Sequence, residues 1–135
     1  MGKKRKMLFS SLISLCILVS FAIPAFAAAS KYNCSYANVS CRGVNVTYGT
    51  AVAYSDYVYA SAGQTLAVSN SSTGDFNLVT RLVDSSGNVY TPEIGFHQTV
   101  YAKVPKSGNY RVKVTCKDTS TIQQRCSGFG QVSNP

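Results

Sequence analysis

Apolar and polar residues alternate along most of the chain after residue 30, and no stretch there keeps a helical period. The pattern is clearest in residues 110–116, where apolar residues and a cysteine alternate with Arg111, Lys113 and Thr115. Successive side chains of a strand point to opposite faces of its sheet. This segment is therefore predicted to be a β-strand with one buried face and one basic face in solvent.

Two pairs of alternating segments are separated by turn-forming residues. Residues 99–104 lead into residues 110–116 through Pro-Lys-Ser-Gly-Asn, a sequence that favours a turn. Residues 76–83 lead into residues 89–90 through Asp-Ser-Ser-Gly-Asn, which is a second turn sequence. Both arrangements predict β-hairpins.

Shorter alternating segments predict further strands. These lie at residues 44–48, 51–54, 57–60 and 64–68. The polar residues 69–74 are predicted to form a loop, and residues 131–135 a frayed end. We therefore expect roughly seven to nine short strands.

The fold class follows from the turn spacing and from the lack of helical segments. Turn sequences recur about every eight to twelve residues, as in all-β domains. An antiparallel two-layer β-sandwich is the natural arrangement for burying one face of each strand. A small β-barrel is the alternative. Since the chain has no internal repeat and no linker, residues 28–135 are expected to form one all-β domain.

The first 27 residues have the three parts of a secretory signal peptide. Four basic residues at 3–6 precede a charge-free apolar run at 7–23, and residues 25–27 form an Ala-x-Ala cleavage site. Cleavage after Ala27 or after Ala29 fits this pattern. A permanent membrane helix is the alternative, but no charged residues follow the run to stop its transfer. The sequence predicts an extracellular protein with no transmembrane segment after processing, and its lysine-rich start is typical of bacteria.

The formal net charge of +8 overstates the charge of the mature protein. Four of the 13 basic residues lie at positions 3–6, so the remaining nine exceed the five acids by four. A small positive excess favours polyanions in general, whereas nucleic-acid binding usually involves a dense cluster of Lys and Arg. Nucleic acid is therefore not an expected partner.

Four cysteines remain after the signal peptide, because Cys16 lies within it. An even number in an exported chain predicts two disulfides among Cys34, Cys41, Cys116 and Cys126. Three pairings are possible. Closing the long loop from Cys41 to Cys116 costs about 2 kcal/mol more than closing the short loop from Cys34 to Cys41, which favours local pairs. Zinc is the competing use of four cysteines, but neither local pair has C-x-x-C spacing.

The order of several motifs resembles that of bacterial pre-peptidase C-terminal domains. The motifs are residues 62–68 (Ala-Gly-Gln-Thr-Leu-Ala-Val), 74–78 (Gly-Asp-Phe-Asn-Leu), 84–88 and 104–114. The resemblance covers about residues 54–116. Those domains are extracellular β-sandwiches of the jelly-roll kind, usually appended to secreted enzymes, where they assist export or bind substrates and surfaces. The resemblance therefore implies a non-catalytic module.

The resemblance also implies a candidate calcium site at Asp75 and Asn77. The resembling domains often bind calcium through acidic residues here, and oxygen ligands two positions apart in a loop suit a hard cation. Asn77 keeps a neutral oxygen but lacks the charge of a second acid. An Asp that caps the turn before a strand is the simpler explanation of Asp75, so no cofactor is predicted.

No catalytic motif is present in the mature chain. The only histidine, His97, lies in Gly-Phe-His-Gln between predicted strands. No nucleophile-elbow pattern marks a serine, and the five acids form no recognisable pair of general acid and nucleophile. A hydrolase centred on His97 is the least favoured hypothesis, and the sequence predicts binding rather than catalysis.

Basic and aromatic residues are the remaining candidates for function. Six basic residues are predicted to share a solvent face, and these are Arg81, Lys103, Lys106, Arg111, Lys113 and Lys117. Such a face suits phosphate or carboxylate polymers of a cell envelope. A solubilising surface that blocks edge pairing is the alternative. Tyrosines at positions 48, 54, 57 and 59 are candidates for stacking on a glycan.

From these features we predict a secreted, non-catalytic binding module that contacts a cell-envelope or extracellular polymer through its basic strand face. The alternative is a secreted effector that presents residues 117–125 to a protein target, either as an antimicrobial or toxin-like protein or as an inhibitor. A short loop closed by Cys116 and Cys126 is partly preorganised for such binding.

Overall fold

The computed structural model describes residues 29–47, 49–72, 77–117 and 126–135. Within these ranges the chain forms nine strands: β1 (Ser30–Asn33), β2 (Ser40–Val46), β3 (Val52–Tyr54), β4 (Val58–Ala60), β5 (Thr65–Ser72), β6 (Leu78–Asp84), β7 (Thr99–Lys103), β8 (Gly108–Cys116) and β9 (Gly128–Asn134). No helix in the described residues has the length and apolar character needed to cross a membrane. The predicted signal peptide, residues 1–27, lies outside these ranges.

The strands form two antiparallel sheets, which confirms the predicted all-β sandwich. The first sheet has the order β1-β2-β9-β5-β7. In the second sheet β8 is central, with β6 along one edge and both β3 and β4 along the other. The sheets do not close into a barrel, so the alternative fold is not the one adopted.

The core lies between the two sheets and is built from alternate residues of each strand. On β8 the burial pattern follows the predicted alternation, with Tyr110, Val112 and Val114 buried and Arg111 and Lys113 on the outer face. The other large side chains that are fully buried include Val44, Leu66, Val68, Leu78, Leu82, Ile94, Val104 and Val132. Period-two burial on both sheets is what makes each strand amphipathic in sequence.

The predicted hairpin between residues 99–104 and 110–116 is wrong. β7 pairs with β5 in the first sheet, whereas β8 pairs with β6 in the second. Residues 105–107 therefore carry the chain across the sandwich from one sheet to the other. A turn sequence indicates where the chain changes direction, but it does not determine which sheet the next strand joins.

The second predicted hairpin is present but is shorter than predicted. Val83 and Val89 make an isolated bridge, and the Tyr90 backbone N–H donates to the Leu82 carbonyl at 2.9 Å. The side of β6 that faces away from β8 is also bridged by Ile94, which exchanges two backbone hydrogen bonds with Thr80. Residues 84–94 therefore cover this edge of the second sheet without forming a long strand.

The predicted frayed end is also wrong, because residues 128–134 form β9 in the middle of the first sheet. β9 pairs with β2 over its whole length and with β5 from Gly128 to Ser133. The apolar signal of β9 is weak, since Val132 is its only buried aliphatic residue. Pairing on both sides, which a local sequence pattern does not reveal, holds this strand in place.

The polar loop predicted at residues 69–74 is wrong for residues 69–72, which continue β5. Asn70 points inward and its amide nitrogen donates across the sandwich to the Leu78 carbonyl, the Thr80 hydroxyl and the Ile94 carbonyl, at 2.9 to 3.2 Å. The nitrogen end of this buried amide is therefore hydrogen-bonded, whereas its Oδ1 has no partner among the described residues. Asn70 is therefore a polar residue at a core position that links the two sheets, although its polar neighbours in the sequence predict a loop.

Gly130 on β9 allows the two sheets to approach closely. A Cβ atom at this position would lie 2.6 Å from Val114 Cγ2 and 2.8 Å from Thr80 Oγ1. Both neighbours belong to the second sheet and are fully buried. The absence of a side chain at Gly130 thus sets the spacing of the sheets beside Asn70.

Both disulfides join sequence neighbours, as the loop-closure argument favoured. Cys34 pairs with Cys41 with a Cα separation of 4.8 Å, and Cys116 pairs with Cys126 with a Cα separation of 5.6 Å. The second bond joins the end of β8 in one sheet to the segment that enters β9 in the other. It therefore ties the two sheets together at the point where the last strand begins.

The crossing between β7 and β8 is held by the buried Tyr110. Its hydroxyl donates to the Lys106 carbonyl at 2.5 Å, so the ring anchors the turn that precedes its own strand. Its ring also packs edge-on against Tyr90, with centroids 5.3 Å apart. A tyrosine whose hydroxyl hydrogen-bonds to the backbone a few residues upstream is a recurrent feature of the corners of β-sandwiches.

The spacing of the sheets at Gly130 can be tested by adding one methyl group. We expect Gly130→Ala to destabilise the protein by about 1–3 kcal/mol, because the new Cβ overlaps Val114 and Thr80. Gly108→Ala is the matched control, since no atom lies within 4 Å of a Cβ built at Gly108. Urea unfolding of both variants measures the difference, and equal losses of stability would show that the sheets do not meet closely at Gly130.

Candidate functional site

The outer face of the second sheet brings three basic side chains together. Lys113 on β8 lies opposite Arg81 on β6 and opposite Tyr54 on β3. Arg111 projects from the same face of β8, two residues earlier. The strands therefore place Arg81, Arg111 and Lys113 on one surface beside an aromatic ring, as the alternation of β8 predicts in part.

A bulge between β3 and β4 brings a second tyrosine to this surface. Tyr54 pairs with Lys113 and Val58 pairs with Tyr110, so three residues of the edge, 55–57, lie opposite only two residues of β8. The extra residue reverses the alternation along the edge. In an unbroken strand Tyr54 and Tyr57 would face opposite sides of the sheet, whereas here both reach the outer face.

Ser55 holds the bulge in place. Its backbone N–H donates to the Val112 carbonyl at 3.1 Å, and its hydroxyl accepts a hydrogen bond from the Val112 N–H at 3.1 Å. The same hydroxyl donates to the Asp56 carbonyl at 2.8 Å. The hydroxyl of this fully buried serine thereby takes the place of the backbone acceptor that a regular strand would offer to the Val112 N–H. This arrangement fixes the positions of the two tyrosines.

Arg111 lies against both of these tyrosines. Its guanidinium carbon is 4.1 Å from the centroid of the Tyr54 ring and 4.8 Å from that of Tyr57. Such cation–π contacts stabilise a guanidinium but supply no strong acceptor for its N–H groups. The buried Nε of Arg111 has no hydrogen-bond partner among the described residues. Arg111 is therefore a cation that is held against two aromatic rings and has no described counter-ion.

A depression of about 150 Å³ opens beside Arg111. Its lining residues are Tyr54, Arg81, Val83, Gly87, Val89, Arg111, Lys113 and Thr115. Val83 is buried beneath Val89 and the turn at Gly87, which form one wall. The depression thus combines a small apolar wall with cations and a hydroxyl, a mixture that suits a polar ligand with one charged group.

Glu93 neutralises two of the six predicted binding residues. Its carboxylate accepts from Arg81 at 2.7 Å and forms a short ion pair with Lys117. The Lys117 hydrogen bond is the chief cause that lowers the pKa of Glu93 below its ordinary value. Arg81, which lines the depression, and Lys117 therefore already have a counter-ion, whereas no described acid pairs with Arg111 or Lys113.

Lys103 and Lys106 are not on this surface. Lys103 is at the end of β7 in the first sheet, and Lys106 lies in the crossing between the sheets. The six residues predicted to share a solvent face therefore divide into two groups. The hairpin predicted from residues 99–116 would place Lys103 and Lys106 beside β8, whereas β7 pairs with β5 in the first sheet.

Lys106 is close to the buried carboxylate of Asp84, which ends β6. This carboxylate accepts from the backbone N–H groups of Ser86 and Asn88 at 2.9 Å, from the Asn88 amide at 3.0 Å and from the Tyr90 hydroxyl at 2.8 Å. The bond from the Asn88 side chain is the chief cause that holds the pKa of Asp84 far below its usual range. The bonds from Ser86 and Asn88 show that Asp84 organises the turn of residues 84–88. Lys106 Nζ lies 3.5 Å from the same carboxylate and links the crossing between the sheets to this turn.

His97 lies apart from the basic surface, in an exposed loop with a left-handed φ of 51°. Its Nδ1 is 3.4 Å from the Ser71 hydroxyl, and its ring lies 4.0 Å from that of Phe96. The pairing of a histidine with a serine was not apparent in the sequence, since 26 residues separate them. The long contact and the exposed ring, which is tilted by 60° against that of its neighbour Phe96, are those of a loop residue.

Two other predicted features lie partly outside the described residues. Asp75 belongs to the undescribed residues 73–76, so the calcium site that it would form with Asn77 stays a prediction. Residues 118–125 of the loop closed by Cys116 and Cys126 are also undescribed. In the described part of the chain, no three His, Cys, Asp or Glu side chains form a group suited to a metal ion.

The comparisons with known proteins do not extend this picture. No protein-family model matches the chain, and no curated protein matches it. The resemblance to pre-peptidase C-terminal domains therefore stays an expectation from the motifs alone.

The hydrogen bonds around Asp84 make the stability of the fold depend on acid. Because the pKa of Asp84 is lowered by folding, its contribution is complete above the ordinary value near 4 and is lost as the pH falls toward the lowered value. We expect the melting temperature of the wild type to fall between about pH 4 and pH 2, and that of Asp84→Asn, already lower at pH 6, to fall less.

Thermal unfolding followed by circular dichroism from pH 6 to pH 2 measures both slopes. Asp56→Asn is the control, because the Asp56 carboxylate is exposed and pairs only with the exposed Lys31 in the described structure. Parallel curves for the wild type and Asp84→Asn would contradict the expectation.

Proposed function

We propose that this protein is a secreted, non-catalytic binding module that contacts an anionic polymer of a cell envelope or of the extracellular medium. The binding surface is the Arg111 face, which we define as Tyr54, Tyr57, Arg81, Arg111 and Lys113. The observation that carries the proposal is that Arg111 lies against two tyrosines and has no described acid as a partner.

The charge distribution on this face supports an anionic ligand. Arg111 and Lys113 are two residues apart on one strand, and neither forms an ion pair in the described structure. Most of the other described cations are engaged, Lys31 with Asp56, Lys106 with Asp84, and both Arg81 and Lys117 with Glu93. Because Arg111 is held against two tyrosine rings, it would bind an anion with little loss of conformational entropy.

The compartment is consistent with an extracellular ligand. Two disulfides at bonding distance are typical of a protein in an oxidising, extracellular-type environment. The signal peptide predicted at residues 1–27 and the motifs that resemble pre-peptidase C-terminal domains favour secretion and a binding role. In such a compartment the abundant polyanions are wall polymers and acidic polysaccharides rather than nucleic acids.

A second candidate is the effector that presents residues 117–125 to a protein target. Three contacts hold the start of this segment: the Cys116–Cys126 disulfide, the Lys117–Glu93 ion pair and a 2.9 Å hydrogen bond from the Lys117 backbone N–H to the Asn77 carbonyl. A loop whose ends are fixed loses less entropy on binding. Its binding would depend on the disulfide and not on Arg111 or Lys113.

The proposed polymer binding is tested by co-sedimentation of the oxidised mature protein with isolated cell walls at low and high salt. We expect binding at low salt that weakens at high salt, because the contact is made by exposed charges. Lys113→Gln should weaken binding roughly twofold to fivefold. Lys103→Gln is the matched control, since it removes the same charge from the opposite sheet, and it should bind like the wild type.

Three outcomes would overturn the proposal. These are no sedimentation at either salt concentration, sedimentation that salt does not change, and equal losses for the Lys113 and Lys103 variants. Equal losses would mean that only net charge matters. Binding to a protein target that is unchanged in Lys113→Gln but is lost when the disulfides are reduced would favour the effector.

A further inference from the structure

Arg111 stands between two depressions rather than at the bottom of one. The first is the depression of about 150 Å³ between β6 and β8. A second, more open depression is lined by residues that include Lys31, Val44, Ala51, Val52, Tyr54 and Arg111. Tyr54 and Arg111 belong to both linings. The first depression lies on the outer face of the second sheet, and the second lies at the edge of the sandwich, where Lys31 and Val44 of the first sheet also line it. The two meet at Tyr54 and Arg111 and form one path that is interrupted by this pair of side chains.

We propose that this path binds an acidic polysaccharide, and that Arg111 is the specificity-determining residue that binds one carboxylate of the polymer edge-on. This inference rests on the proposed function and names its ligand class. Sugar units on either side of the bound carboxylate occupy the two depressions. The polymer runs across the strands past Tyr54. The spacing of its carboxylates determines which sugar unit contacts Arg111.

The chemistry of Arg111 favours a carboxylate. A guanidinium is a planar fork of N–H donors that matches the two coplanar oxygens of a carboxylate. Because the rings of Tyr54 and Tyr57 lie against the guanidinium, the available space is along its plane, where a flat group fits better than a tetrahedral one.

The number of unpaired charges favours a polymer with one negative charge per unit and a sugar scaffold. Glu93 already neutralises Arg81 and Lys117, which leaves Arg111 and Lys113 for the ligand. The first depression also contains Thr115 beside Lys113, and these groups can bond sugar hydroxyls. Tyr57, which is 38% exposed, offers an aromatic ring to a pyranose next to the carboxylate.

The probes that test the inference are polygalacturonate, its fully methyl-esterified form, dextran sulfate and poly(glycerol phosphate). Binding of each to the wild type is measured by affinity electrophoresis at two salt concentrations. We expect polygalacturonate to bind about tenfold or more tightly than each of the other three. The esterified polymer has the same backbone without the charge, so this comparison needs no variant.

Arg111→Lys separates the inference from the proposed function. Lysine keeps the positive charge but lacks the planar fork, so we expect binding of polygalacturonate to weaken about tenfold. Binding of dextran sulfate, which depends on charge rather than on the planar fork, should weaken less than binding of polygalacturonate. Lys103→Arg on the opposite sheet is the matched control, and the melting temperature of each variant shows that it is folded.

The outcomes distinguish the two proposals. If the wild type binds all three polyanions equally, or if Arg111→Lys binds polygalacturonate like the wild type, the inference is wrong and the proposed function stands. Preference for poly(glycerol phosphate) would assign the face to a phosphodiester wall polymer instead. Failure to bind any of the three polyanions, at either salt concentration, would overturn both.

Discussion

The insertion of β9 between β2 and β5 is the constraint on which the rest of the structure depends. β9 is the strand that joins β1 and β2 to β5 and β7, so the first sheet exists as one unit only when this late segment is in place. Gly130 on β9 then lets Thr80 and Val114 of the other sheet approach, and the Cys116–Cys126 bond holds the entrance to the strand. Sheet formation, sheet spacing and the second disulfide are thus coupled at one place.

The core also supports the surface that we propose as the binding face. The inner face of β8 packs through Val112 and Val114 against the core, so the outer face that carries Arg111 and Lys113 is a rigid surface. Rigid elements hold binding groups more accurately than loops do. The bulge at Ser55 adds the two tyrosines to that surface without disturbing the core strand. Stability and the candidate function therefore use opposite faces of the same strand.

Part of the site was predictable from the sequence. Arg111 and Lys113 alternate with buried residues, which is enough to place them on one outer face, and the local disulfides follow from loop length. The contact of Tyr57 with Arg111 was not predictable, because a spacing of three places Tyr54 and Tyr57 on opposite faces of an ordinary strand. A bulge changes that parity, and its only local signs are Ser55 and Asp56 between two strand-like segments.

The sequence by itself determined the class of fold and the two faces of β8, since these depend on period-two alternation and on turn residues that act locally. Only the tertiary structure decided the partners of each strand. β7 leaves β8 for the other sheet, β5 continues through polar residues because Asn70 finds acceptors across the core, and β9 becomes central because both its edges are paired. Hydrogen bonds and burial between segments distant in the chain provide that information, and no local pattern contains it.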